Sequence, residues 1–188
     1  KNQLHLELLT ADRDQCFDYL SKGRAQLAVT NLPMPIQEGP TPKTCNASMQ
    51  IELLCQAHSV VVFPNSHRFR RRQKLTLGDL ADECLILPPK GRPQRELVED
   101  AFGALGLYPK VRVETTGWDL MMNFTLLGLG LTIVNSLCQL PKGLSSCALE
   151  GLPNTRYCLM YRQGFLNKGG ELLRQYLNHV GPNHVGPT

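Results

Sequence analysis

Short apolar runs alternate with longer amphipathic patterns along the middle of the chain, and this alternation constrains the fold most. The runs CLIL, KVRVET and LTIVN predict short strands. The segments QRELVEDAFGALG and WDLMMNFTLLG lie between them and predict helices. Strands that alternate with helices in this way favour an α/β fold. The residues expected on the buried helix faces are Leu97, Val98, Ala101, Phe102 and Leu105, and then Trp118, Met121, Met122 and Thr125.

The start of the chain predicts one strand–helix–strand unit. LHLELL alternates, so Leu4, Leu6 and Leu8 should face one side of a strand. A helix should follow, capped by Thr10 or Asp12, and AQLAVT predicts a second strand that is buried on both faces. Two parallel strands joined by a helix would form a right-handed βαβ unit.

The other patterns predict further strands and helices. MQIELLC, SVVVFP and TRYCLMYR predict strands, LTLGDLAD a short amphipathic helix, and NKGGELLRQYLNHV a final helix. The chain between Asn135 and Gly151 is expected to be rich in loops. The final helix should turn four residues inward: Leu172, Leu173, Tyr176 and Leu177.

Two glycines interrupt the apolar run TLLGLGLTIV. Gly128 stands where the residue after a helix needs a positive φ, which glycine adopts without steric cost. Gly130 would let the next strand leave close to the helix end. Because this GLG follows a helix rather than a strand, it is a structural corner and not a phosphate-binding loop.

The cysteine content argues against a disulfide framework and against a zinc site. The chain has seven cysteines, an odd number, and no C-x-x-C pair. Small buried thiols in a reducing cytoplasm are the simpler interpretation, and a redox couple of Cys138 and Cys147 is the alternative. His179 and His184 are weak metal ligands by spacing, so neither a metal nor a cofactor is expected.

The net charge and the hydropathy of the chain restrict whether it can contact phosphate or span a membrane. The net charge is +4, and much of the excess lies in HRFRRRQK, residues 67–74. Such a cluster is expected to be a solvated loop, with phosphate contact as the alternative. The sequence has no run of about 18 apolar residues, so we expect no membrane span.

The sequence indicates a ligand site more strongly than a catalytic one. It contains no G-x-S-x-G, H-E-x-x-H or Walker motif and no G-x-G-x-x-G after a strand, so we expect no enzyme. Instead, strands are predicted to end and helices to begin at residues 9–11, 88–93 and 115–118. Ligands of open α/β sheets bind at such places, and the free N–H groups of helix starts favour anions.

Several side chains in these segments suit an organic anion. Thr10 and Thr116 offer hydroxyls, and Arg92 offers a planar fork that matches a carboxylate or phosphate. Trp118 and Tyr157 could supply apolar walls. Each has a simpler alternative role, which is helix capping for the threonines, solvent exposure or an ion pair for Arg92, and the core for Trp118.

The order of the segments resembles the effector-binding domain of LysR-type transcriptional regulators. The segments that carry the resemblance are GRAQLAVTNLP, HSVVVFPNSHRF, LTLGDLADECLILP, RELVEDAFGALGLYPKVRVETTGWDLMMNFTLLGLGLTIVNS and LMYRQ. The resemblance rests on the order and spacing of these segments taken together, and it covers about Leu4 to Val180.

The resemblance implies an α/β fold of two Rossmann-like lobes joined by crossover strands, like type II periplasmic binding proteins. Residues 1–54 with 160–180 would form lobe I, residues 55–156 lobe II, and residues 181–188 a disordered tail. The family's first strand and the helix after it would be missing from lobe I. The positions that match the family's effector contacts are Thr10, Asn31, Gly91, Arg92, Gln94, Thr116, Gly117, Trp118 and Tyr157.

The resemblance also implies a function. A small, anionic effector would bind between the lobes of a cytoplasmic bacterial regulator and control DNA binding by a separate winged helix-turn-helix domain. The full-length protein would form homodimers and then tetramers. Two alternatives stay open: a solute-binding protein of a transport system, and an enzyme on a similar two-lobed scaffold.

Overall fold

The computed structural model describes residues 5–32 and 49–180 of the 188-residue chain. Leu4 of the predicted first strand and the predicted tail at 181–188 lie outside these residues. The strands are β1 (Leu27–Leu32), β2 (Met49–Ala57), β3 (Ser59–Pro64), β4 (Lys74–Leu75), β5 (Cys84–Leu87), β6 (Lys110–Glu114), β7 (Leu131–Asn135), β8 (Leu144–Leu149) and β9 (Thr155–Arg162). The helices are α1 (Arg13–Ser21), α2 (Pro93–Gly103), α3 (Trp118–Leu126) and α4 (Lys168–Val180).

The chain divides into two compact units. The first unit comprises Lys1–Gln56 and Thr155–Thr188, and the second comprises Ala57–Asn154. Each unit contains its own sheet. The sheet of the first unit has the strand order β1-β9-β2, and that of the second has the order β4-β8-β3-β7-β5-β6.

In the first unit, α1 covers part of the three-stranded sheet. The helix buries Cys16, Phe17 and Leu20, which pack with Met160 of β9. Its start is fixed by Asp12, whose carboxylate accepts from the Gln15 N–H while the Gln15 side chain accepts from the Asp12 N–H. This reciprocal capping box satisfies donors that the first helical turn otherwise leaves unpaired.

The predicted strand at the start of the chain is wrong for its described residues. Residues 5–12 have no regular structure, and Leu8 is 83% exposed. An alternating pattern becomes a strand only where a neighbouring strand accepts its hydrogen bonds, and β1-β9-β2 is the whole of this sheet within the described residues. The burial predicted for β1 is also wrong, because only Thr30 of this edge strand is buried.

Helix α4 has a polar anchor where an apolar face was predicted. Leu172 and Tyr176 are 55% and 62% exposed, so the prediction that they point inward is wrong. Arg174 and Asn178 lie on the opposite face and bind Glu52 of β2, with Nδ2 of Asn178 donating over 2.6 Å. Because these two residues are one turn apart, their contact with the sheet turns Leu172 and Tyr176 away from it.

In the second unit, the sheet separates two apolar clusters. Val61 and Phe63 of β3 face the cluster that includes Phe102 of α2. Val60 and Val62 face the other cluster, with Met122 of α3. Alternation along β3 therefore places α2 and α3 on opposite faces of the sheet.

The helices and strands between residues 84 and 135 agree with the sequence prediction. Five residues of the predicted buried faces of α2 and α3 are buried: Val98, Phe102, Met121, Met122 and Thr125. Leu97, Ala101 and Trp118 are half-buried, and Leu105, which follows the end of α2, is exposed. Outside this range, two predictions for the second unit differ from the structure. LTLGDLAD forms only a 3₁₀ turn at Gly78–Leu80, and the segment expected to be loop-rich contains β8.

The two glycines of GLG have different structural roles. Gly128 follows α3 with a φ of 76°, which confirms the predicted helix-terminating role. Gly130 lies against β5, where a Cβ would stand 2.6 Å from the Cys84 carbonyl oxygen. The close approach that requires glycine is therefore to the neighbouring strand rather than to the helix end.

Candidate functional site

Three parallel strands of the second unit end at one edge of the sheet, which we call the C-terminal edge. β5 pairs in parallel with both β6 and β7, so the carboxyl ends of all three strands lie side by side. Loop 88–92 leads from β5 into α2, and loop 115–117 leads from β6 into α3. The Thr115 N–H donates to the Leu87 carbonyl over 3.2 Å, so the two loops start from adjacent, hydrogen-bonded backbones.

The helices that begin at this edge lack side-chain caps. Arg92 occupies the cap position of α2 and Gly117, with a φ of 87°, that of α3, and neither helix start has a side-chain cap. In contrast, α1 is capped by Asp12. Uncapped first turns leave backbone N–H groups and the positive end of the helix dipole available to an anion.

Gln94 links the two helix starts to the sheet. Its Nε2 donates to the Ile133 carbonyl of β7 over 2.7 Å. Its Oε1 accepts a hydrogen bond from the Trp118 indole over 3.3 Å. Trp118 is half-buried and packs against the cluster around Met122. Both ends of the Gln94 amide therefore hold the C-terminal edge together.

Arg95, the next residue of α2, is a buried cation at the same edge. It is 3% exposed. Its Nη1 donates to the Pro88 carbonyl and to Glu114 Oε1, each over 3.1 Å, and its Nε donates to Glu99 Oε1 over 2.7 Å. Two carboxylates thus neutralise this guanidinium within the fold.

Six of the nine predicted site residues lie at the C-terminal edge. Gly91, with a φ of 80°, Arg92 and Thr116 are exposed there. Arg92 forms no ion pair among the described residues, so the ion-pair alternative does not apply to it. Thr116 is not a helix cap, because Gly117 takes that position. The six residues are Gly91, Arg92, Gln94, Thr116, Gly117 and Trp118.

The other three predicted residues lie in the first unit. Asn31 of β1 and Tyr157 of β9 are directly opposite each other in the antiparallel pairing. Thr10 is exposed and precedes α1, whose cap is Asp12 rather than Thr10. The structure thus brings Asn31 and Tyr157 together, and Thr10 has no capping role.

Cys138 and Cys147 are placed for packing rather than for reaction. Cys138 donates to Asn135 Oδ1 over 3.6 Å, and Cys147 donates to the Arg72 carbonyl over 3.2 Å. Burial raises the pKa of both thiols, which lowers their thiolate content near neutral pH. Within residues 5–32 and 49–180, no disulfide forms and no cluster of side chains suits a metal ion.

Three of the five Arg and Lys residues in the basic run 67–74 form ion pairs. Arg68 binds Glu83 over 2.8 Å, Arg72 binds Asp79 over 3.3 Å, and Lys74 binds Glu150 over 2.9 Å. Phe69, the aromatic residue of the run, is buried. Arg70 and Arg71 are exposed and form no ion pair among the described residues, so the run keeps part of its cationic surface. Over the described part of the chain, no helix has the length and apolar character needed to cross a bilayer.

A cavity of about 210 Å³ in the first unit is a weaker candidate than the C-terminal edge. It is lined by Arg162, Phe165 and Gln26, among others. The Arg162 guanidinium lies 3.5 Å from the centre of the Phe165 ring and donates to the Ser21 carbonyl. Gln26 Oε1 accepts from the Asn167 N–H. Its polar groups therefore serve the fold.

Sequence reasoning missed Arg95 and Glu114. One signal was present in the sequence, because Arg95, Val98 and Phe102 share the apolar face of α2. A charge at such a position needs partners, and Glu99 lies one turn further along the helix. No sequence signal identified Glu114, because its contact depends on which strand lies next to β5.

Comparison with known proteins identifies the family. The model of the LysR substrate binding domain matches residues 2–181. The transcriptional regulator CbbR of Xanthobacter flavus is 25% identical over 191 residues, which cover 97% of this chain and 54% of CbbR. The chain spans about half the length of the curated relatives it matches.

Solved structures show the same fold. The regulatory domain of Synechocystis CcmR, solved in complex with 2-PG, has a TM-score of 0.69 and 17% identity, and the match covers 92% of this chain and 81% of that one. The effector-binding domain of QuiR, solved in complex with shikimate, has a TM-score of 0.67 and 14% identity, with coverages of 93% and 80%. The predicted α/β fold class is confirmed. The chain therefore belongs to the LysR substrate-binding domains, the ligand-sensing regulatory domains of LysR-type regulators.

Proposed function

We propose that the chain senses a small organic anion and that the C-terminal edge of the second unit supplies contacts to it. The observation that carries the proposal is the pair of uncapped helix starts beside an exposed arginine without an ion pair. Arg92 would bind a carboxylate or phosphate through its planar fork, and the first-turn N–H groups of α2 and α3 would donate to the same group.

The remaining predicted contacts extend this proposal. Thr116 would add a hydroxyl, and Trp118 an apolar wall that Gln94 holds in place. Thr10, Asn31 and Tyr157, which lie in the first unit, stay predicted effector contacts. CcmR was solved with 2-PG and QuiR with shikimate, which supports an organic acid as the class of effector.

The proposed output is regulation of transcription. The full-length protein would bind DNA through a winged helix-turn-helix domain, act in the cytoplasm as a homodimer or tetramer, and change its assembly when the effector binds. The effector would be bound without being converted. Turnover of an anion that binds would favour the enzyme alternative, and an export signal in the full-length gene would favour a transport protein.

The test is a thermal-shift screen with shikimate, 2-phosphoglycolate, inorganic phosphate and acetate. We expect at least one organic acid to raise the melting temperature of the wild-type chain, because a ligand that binds only the folded state stabilises it. Arg92→Ala should reduce that shift. Arg71→Ala is the matched control, because it removes the same charge from an exposed site in the same unit.

The outcomes separate the site from the function. If both variants shift as the wild type does, Arg92 is not part of the site. If no member of an extended panel of organic acids shifts the wild type, the proposal of an anionic effector fails.

A further inference from the structure

Arg95 connects three segments that meet at the C-terminal edge. Its Nη1 donates to the Pro88 carbonyl, at the root of loop 88–92. The same nitrogen donates to Glu114, the last residue of β6 and the residue before loop 115–117. Its Nε donates to Glu99 on its own helix. One planar group therefore fixes the distance between the roots of both loops.

Arg95 is unsuited to bind the anion itself. Its side chain is 4% exposed, and its charge is opposed by Glu99 and Glu114. A buried ion pair is also weak evidence for a stabilising role, because the desolvation of the charges offsets much of their attraction. What an apolar residue at this position could not supply is a donor for the Pro88 carbonyl.

We propose that Arg95 is a positioning residue that presets loops 88–92 and 115–117 for the anion. This inference rests on the proposed function of the same edge. With Arg95 in place, the cap positions of α2 and α3 stay in register, so an anion can meet Arg92 and both helix starts without first ordering the loops. Preset loops improve affinity because binding no longer has to order them.

Two glutamates provide matched variants. Glu114→Ala removes the acceptor at the loop root, and Glu99→Ala removes the acceptor on the helix; their side chains are 46% and 37% exposed. Arg95→Met removes all three contacts while keeping an unbranched apolar stem. The variants are compared by hydrogen–deuterium exchange of the free chain and by calorimetric titration with shikimate, 2-phosphoglycolate and inorganic phosphate.

The proposal predicts a local effect. In Arg95→Met, exchange of the Arg92 and Thr115 amides, which donate to the Pro89 and Leu87 carbonyls, should rise about tenfold while β3 keeps the wild-type rate. In Glu114→Ala, the Thr115 amide should show the same rise. The dissociation constant of any anion that binds the wild type should rise about five- to tenfold. Glu99→Ala should change both readouts by less than about twofold, because the Pro88 and Glu114 contacts remain.

Each other outcome contradicts one part of the reasoning. Equal acceleration in the loops and in β3 would make Arg95 a general stabiliser, and equal effects of Glu99→Ala and Glu114→Ala would remove the special role of the loop roots. Faster loop exchange with unchanged anion affinity would show that the ordering of the loops by Arg95 does not contribute to anion binding. If no anion binds the wild type, the proposed function fails, and the exchange data alone decide whether Arg95 orders the loops.

Discussion

Replacing Gly130 with alanine should destabilise the second unit through a backbone clash. The new Cβ would lie 2.6 Å from the Cys84 carbonyl oxygen, 3.2 Å from its carbon and 3.3 Å from Ile86 Cγ1. Ordinary contact begins at about 3.4 Å, so β5 and β7 must separate by about 0.8 Å at this point. The obstacle is a hydrogen-bonded backbone and not the end of a flexible side chain.

The expected cost is about 3 kcal/mol of unfolding free energy, the upper part of the range for overpacking in a well-packed region. For a chain of this length it corresponds to a fall of about 6–12 °C in melting temperature. Urea unfolding followed by circular dichroism would measure the free energy, and the slope should stay at the wild-type value.

Alanine substitutions at two other glycines are controls that distinguish the clash at Gly130 from the general effects of replacing a glycine. Gly128→Ala meets nothing within 4 Å but keeps a φ of 76°, so it should cost about 1–2 kcal/mol. Gly103→Ala, in open space at the end of α2, should be neutral or stabilise by up to about 1 kcal/mol. If Gly130→Ala is as stable as Gly103→Ala, the close approach of β7 to β5 is refuted.

Three further substitutions test other parts of the fold. Phe102→Ala should cost about 3–5 kcal/mol in urea unfolding, because its ring is fully buried between α2 and the sheet; a loss below 1 kcal/mol would contradict this packing. Asp12→Ala should lower the free energy of unfolding by about 1 kcal/mol and increase amide exchange in α1 before other elements. An equal increase of exchange in all elements would contradict the capping role of Asp12. Burial works to raise the pKa of Glu52, but hydrogen bonds from Tyr161, Asn178 and Arg174 outweigh it and hold the pKa below its usual value. The stability that Glu52 adds is therefore complete above its unfolded pKa and is lost as the pH falls through the folded pKa. Glu52→Gln should flatten the acid side of the stability profile, and unchanged profiles would contradict the network.

Periodic sequence patterns gave correct predictions for elements whose backbone hydrogen bonds form within one segment. The helices α2 and α3 follow directly from apolar residues at helical spacing, because their backbone bonds form within the segment. A strand depends on partners elsewhere in the chain. Leu6 and Leu8 therefore alternate as a strand would and yet form none, whereas β8 was missed although it pairs with β3.

The candidate site also has a part that the sequence predicts and a part that depends on contacts between distant segments. The loops of the C-terminal edge could be predicted from strand and helix boundaries, and six expected residues lie there. The contacts of Gln94 could not be predicted, because they depend on the position of β7 and α3. Nor could the partners of Arg95, since Glu114 reaches it from a neighbouring strand.

The most direct test uses Trp118, the single tryptophan of the chain, which stands at the start of α3 beside Gln94. Its fluorescence should change saturably when an organic acid that stabilises the chain is titrated. That change should be weakened in Arg92→Ala and retained in Arg71→Ala. A saturable change of equal midpoint in Arg92→Ala, or calorimetric binding without any response of Trp118, would contradict anion binding at the C-terminal edge.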